Sequence, residues 1–144
     1  MVAYSFKKIF APQIELRQKH QTVRADRKRH ARPEEAVQLF EGMRTRYCRK
    51  LLAVDPICVS VLPILIETTP RGITMIELDG CKLGRDDAEA FAIDDGFSPD
   101  RIGAVSADLD SNTALGNMAI FWCQHNPLGL FSGVTIIWGA GSSR

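Results

Sequence analysis

The segment Ile57–Glu67 (Ile-Cys-Val-Ser-Val-Leu-Pro-Ile-Leu-Ile-Glu) constrains the fold more than any other stretch of this chain. Its density of Val, Ile and Leu predicts a buried strand. Pro63 lacks the N–H that a fully paired central strand needs, so the strand must reach a sheet edge or carry a bulge there. Thr68–Gly72 reads as a turn and Ile73–Leu78 as the next strand. The hydrophobic period then changes. Ala88, Phe91 and Ala92 share a helical face that stops at Gly96. Leu115, Met118, Ala119 and Trp122 fall at i, i+3, i+4 and i+7, which predicts a second helix capped by Ser111 or Asn112. Phe91, Met118, Phe121 and Trp122 then belong to the core. Leu130–Trp138 reads as a closing strand, and Ser98–Ser111 has no clear pattern.

The first third is less regular. Pro12 suits the first turn of a short helix holding Ile14 and Leu16. His20–Arg24 reads as extended, Asp26–Pro33 as an exposed loop, and Ala36–Phe40 and Thr45–Val54 as strands. A chain of 144 residues fits one domain, here residues 1–138, with 139–144 as a frayed tail. Strands with helices among them, without regular βαβ alternation, predict an α+β fold built on a small barrel or curled sheet.

Charge divides the chain. Residues 1–50 contain 13 Lys and Arg against 5 Asp and Glu, whereas residues 51–144 contain 5 against 12. One face can therefore be electropositive in a nearly neutral protein, and such faces attract polyanions. The cations concentrate in Arg17, Lys19, Arg24, Arg27, Lys28, Arg29 and Arg32, with Arg44 further on. Aromatic residues are absent between Phe10 and Phe40, so this run itself can grip a phosphate backbone but cannot stack on bases. The four cysteines form no Cys-x-x-Cys pair and no His sits at a ligand spacing beside them, which argues against zinc and for small buried thiols. No metal or cofactor is expected. No apolar run is long enough to span a bilayer, and Met1–Phe10 does not read as a signal peptide, so the expected location is cytoplasmic.

The segment Ile14-Glu15-Leu16-Arg17-Gln18-Lys19-His20-Gln21-Thr22-Val23-Arg24 resembles the signature of the ASCH family, a helix end followed by Lys-x-x-Thr-x-Arg. Arg27–Cys48, Ala88–Phe97 with its Asp95-Gly96-Phe97, Ala119–Trp122 and Phe131–Val134 resemble successive parts of small phage and prophage ASCH proteins. The chain departs from them where the family has Gly, at Arg17, and where it has Pro-Gly, at Pro33-Glu34. The first of those glycines usually ends the helix in a left-handed conformation.

The resemblance implies a PUA-like β-barrel flanked by helices, with a cleft and a role involving RNA. One group of the family removes the acetyl group from acetylcytidine, and another is reported to cleave RNA. Carried over residue by residue, Thr22 is the candidate nucleophile, Lys19 its activator and Asp95 the acid/base. Asp94 is the fallback, and either is one methylene shorter than the family's Glu. Arg24 orients substrate or binds phosphate, with Arg17, Arg27, Lys28, Arg29, Arg32 and Arg44 offering further charge. The residues alone leave a plainer reading open, in which Lys19 is a solvated cation and Thr22 faces solvent on a strand. Three functions follow: an RNA- or nucleotide-binding module, a small hydrolase of an acylated nucleoside (or a ribonuclease), or a phage-encoded module whose basic loop meets an acidic protein.

Overall fold

The computed structural model describes residues 2–102 and 106–139. They form an α+β fold with two sheets. The first sheet holds β1 (Val2–Phe6), β3 (Val37–Glu41) and β4 (Arg49–Lys50) in the order β1-β3-β4. β1 runs parallel to β3, and β4 runs antiparallel to it. The second sheet is antiparallel throughout, in the order β2-β8-β5-β6-β7. Its strands are β2 (Gln21–Ala25), β5 (Cys58–Thr69), β6 (Gly72–Leu78), β7 (Cys81–Lys82) and β8 (Gly129–Trp138). The helices are α1 (Ala11–Glu15), α2 (Arg85–Ala92), α3 (Pro99–Ile102) and α4 (Ala114–His125). A wide π-type turn, Ile93–Phe97, follows α2 directly.

β5 resolves the problem that Pro63 poses. It pairs with β8 from Cys58 to Thr68 but with β6 only from Ile64 onward. The N–H and C=O of one strand residue face the same neighbour. Because the Pro63 carbonyl accepts a 2.8 Å bond from Asp79 N, the missing N–H falls just past the end of β6. The strand is thus central in one half and an edge in the other. Between Cys58 and Ser60 its register against β8 also shifts by a bulge.

The start of β5 joins the two sheets. Cys58 N donates to Glu35 O and Glu34 N to Cys58 O, both at 2.8 Å, and Val37 N donates to Pro56 O at 2.9 Å. The opposite seam, between β1 and β2, carries no ladder among the described residues. The sheets therefore do not close into the expected barrel. Strands in a ladder lie about 4.8 Å apart. At this seam side chains occupy the gap instead: Phe6 meets Trp138 edge-to-face at 6.0 Å, and the Arg24 guanidinium donates to the Ser5 carbonyl at 2.6 Å.

Four local expectations are corrected. Thr45–Val54 contains only the two-residue β4; the turn just before it, at Gly42 and Arg44, takes positive φ. The N-cap of α4 is Thr113, whose hydroxyl accepts from Gly116 N at 3.0 Å, while Ser111 supports it from one turn outside. Only Cys58 is buried; Cys48, Cys81 and Cys123 are exposed. Within Asp26–Pro33, Ala31 is buried in the core, and its N–H is satisfied by the Tyr4 hydroxyl at 3.0 Å. β1 escaped the sequence reading, although Val2, Tyr4 and Phe6 alternate inward. Ser98–Ser111 includes α3, and the tail 140–144 lies outside the described residues. Among the described residues, no helix is long and apolar enough to cross a membrane.

Two contacts tie the helices to the region that matters below. The Glu89 carboxylate accepts the Ala114 and Leu115 N–H groups at 2.8 and 2.9 Å, clamping α2 to the start of α4. Fully buried Asn117 donates to the Phe97 carbonyl at 3.2 Å, which fixes the π-type turn against α4.

Candidate functional site

The site begins where α1 ends. Arg17 takes the left-handed conformation, φ +59°, and the chain reverses so that Gln18 N and Lys19 N both donate to the Gln13 carbonyl. This turn drives Lys19 inward, where it is 2% exposed. β2 follows, and its alternation puts Thr22 and Arg24 on one face. Their register partners on β8 are Ile136 and Val134. Thr22 is buried, and Arg24 reaches across the open seam to β1.

The π-type turn supplies the acid. Gly96 adopts φ +100°, and a Cβ there would lie 2.9 Å from Phe10 and 3.1 Å from the Lys19 stem. Only glycine lets the turn settle this close. Gln13 anchors it through Nε2 to the Gly96 carbonyl at 2.9 Å. Asp95 is thereby buried while Asp94 stays exposed, which selects between the two carboxylates.

Lys19 Nζ donates to the Asp95 backbone carbonyl at 2.6 Å and lies 3.6 Å from its carboxylate Oδ1. Gln21 Nε2 donates to the same Oδ1 at 3.3 Å. Arg24 Nε donates to Thr22 Oγ1 at 3.0 Å. That bond leaves the Thr22 proton free for another acceptor, and no hydrogen bond joins Lys19 to Thr22 among the described residues. The cations also rest on rings. Lys19 Nζ is 4.8 Å from the Phe10 centroid, and the Arg24 guanidinium is 4.8 Å from that of Phe6.

Burial sets the ionisation. Desolvation pushes the Lys19 ammonium below its ordinary range, against the pull of Asp95 and with help from the Arg24 charge. Desolvation likewise pushes the Asp95 carboxyl up, opposed chiefly by Lys19. Arg24 is lowered by burial to about 10, and so remains a cation at neutral pH.

Lys19, Thr22, Arg24 and Asp95 all line one cavity of about 170 Å³. The plainer reading, with Lys19 and Thr22 in solvent, is thus excluded by their burial. Of the other nominated cations, Arg17, Arg27, Lys28, Arg29, Arg32 and Arg44 do not line it. Arg27 lies 4.8 Å over the Tyr4 ring and donates to the Arg29 carbonyl. Arg29 is ion-paired with Glu35. Lys28, Arg32 and Arg44 are exposed.

The sequence reading missed the aromatic wall. Phe6, Phe10, Phe97, Phe121 and Trp122 all line the cavity, and Phe10, Phe97 and Phe121 meet one another with centroids 5.3–5.6 Å apart. Phe121 and Trp122 sit at helical spacing that signals core, and only the fold reveals that this part of the core borders a void. Trp122 is also buried with its indole Nε1 unpartnered. Lys7, at the end of β1, lines the cavity too. Compared with known proteins, the chain matches no family model, no curated protein and no solved structure.

Proposed function

We propose that this chain is an RNA- or nucleotide-binding module of the PUA-like kind that accepts an unstacked base in its aromatic cavity. One observation carries the reading: Arg24 and Lys19 stand in a void of about 170 Å³ walled by Phe6, Phe10, Phe97 and Phe121. Aromatic faces stack on bases regardless of sequence, and a guanidinium takes a phosphate bidentately. The cavity is smaller than a drug-sized site of about 300 Å³ or more, so it suits one ring system rather than a duplex. The ASCH resemblance supports the same reading through backbone conformation. At both positions where the family has Gly and this chain does not, Arg17 and Glu34, φ is positive, at +59° and +74°. Binding of single-stranded RNA weakens steeply as salt rises, measured by fluorescence anisotropy; a flat salt response overturns the reading.

A second reading is favoured by Lys19 and Thr22 lining one cavity, with the Lys19 amine lowered by burial. In it the chain deacylates a modified nucleoside. Lys19, as free amine, takes the Thr22 proton while Oγ1 bonds to the acyl carbon. The amide C–N bond breaks, the departing amine receives that proton, and water then cleaves the Thr22 ester to free acid, with Asp95 as acid/base. Incubation with acetylcytidine followed by chromatography tests it. Cytidine and acetate form with the wild type and not with Lys19→Ala; an inert wild type across acylated nucleosides removes the enzymatic reading and leaves binding.

A further inference from the structure

From the surface around the cavity, we infer that the occupant is a base within a single-stranded polynucleotide, whose flanking phosphates lie along Lys7 and Lys8. This rests on the nucleic-acid reading above. Two open grooves flank the cavity. One, of about 650 Å³, is lined by Ser5, Phe6, Lys7, Lys8, Arg24 and Glu41 among others, and shares Ser5, Phe6, Lys7 and Arg24 with the cavity. The other, of about 290 Å³, includes Lys7, Lys8, Phe121, Gln124 and His125, and shares Lys7 and Phe121 with the cavity. Lys7 therefore borders all three spaces, and Lys8 borders both grooves. A chain entering by one groove and leaving by the other passes the cavity mouth and stays beside these two lysines.

Both lysines are exposed, and neither ammonium has an ion pair or hydrogen bond among the described residues. The acids on these grooves are Glu41, held by Arg49 at 3.0 Å, and Asp108. The charge at the mouth is thus available to a ligand. By contrast, Arg27 and Arg29 of the basic loop are already engaged within the protein. A free nucleoside would fill the cavity and leave both grooves unused. A duplex must unpair and unstack a base before offering it to the void, a cost that a single strand avoids.

The experiment compares the full chain with Lys7→Ala/Lys8→Ala for binding a short single-stranded RNA oligomer, the same sequence as a duplex, and the free nucleosides. The wild type prefers the single strand over both other forms. In the double variant that preference over nucleoside narrows by about tenfold at low salt. The slope of log K against log salt flattens by about 1.4, because each lost phosphate contact on a single strand removes about 0.7. An unchanged melting temperature establishes that the variant folds, as expected for two exposed side chains. If the wild type binds nucleosides as tightly as the oligomer, or the variant keeps the wild-type preference and slope, the inference falls while the nucleic-acid reading stands. If the wild type binds neither, both fall.

Discussion

Lys19–Arg24 and Arg27–Arg32 are neighbours in sequence, both carry net positive charge and end in opposite circumstances. The first enters the protein: Lys19 and Thr22 are buried, and Arg24 spans the seam between the sheets. The second stays outside and turns its charge on its own surroundings. Arg27 covers Tyr4, Arg29 binds Glu35, and Arg32 N donates to Glu35 Oε1. Charge density therefore does not locate a site. The buried cations are few and costly, and each is held by carbonyls, rings or a carboxylate. The exposed ones are plentiful and individually worth little.

Removing one cation from each region gives the largest contrast. Lys19→Met leaves Asp95 buried without its partner and lowers stability by about 3 kcal/mol, whereas Arg29→Ala costs about 0.5 kcal/mol or less. Urea denaturation of both variants measures this, and equal losses would erase the distinction between the regions. Gly96→Ala comes next, at about 2 kcal/mol, from positive φ together with contact against Phe10 and Lys19. Gly80→Ala serves as its control, since a Cβ there meets nothing within 4 Å and only the φ of +84° is strained. A smaller effect concerns Lys19 itself. Its side-chain NMR titration has a midpoint below the ordinary 10.5, and Asp95→Asn moves it lower still, because the carboxylate is what raises it. A midpoint that rises in the variant contradicts the arrangement. The smallest effect belongs to the loop. Glu35, held down to about 2 first of all by Arg29, contributes stability that is complete above its ordinary 4.5 and is lost as pH falls through about 2. Amide exchange in residues 27–35 accordingly quickens across that acid window while the cavity residues hold; uniform protection throughout would count against it.

Much of the scaffold was legible from local chemistry. The helical period placed α2 and α4, Gly96 ended the first helical face, and Pro63 announced a strand that is half edge. Lys19, Thr22, Arg24 and Asp95 were nominated by type and spacing together with the ASCH resemblance, and they do share a cavity. The aromatic wall was not legible, because Phe6, Phe10, Phe97 and Phe121 come from four separate elements and each reads alone as ordinary core. Lys7 and Lys8 were passed over because two lysines in a chain of 18 Lys and Arg carry no pattern of their own.

The sequence by itself determined the α+β class, most of the strand and helix segments and the abundance of cations near the N-terminus, since these follow from period, propensity and composition. The tertiary structure alone decided which cations are buried, that the sheets join along one seam and stay apart along the other, and that a void lies where β1, β2, α4 and the π-type turn converge. Burial depends on contacts between segments far apart in the chain, such as Gln13 with Gly96, 83 residues on. No local pattern encodes the desolvation that makes Lys19 and Asp95 chemically unlike the other charged residues of this chain.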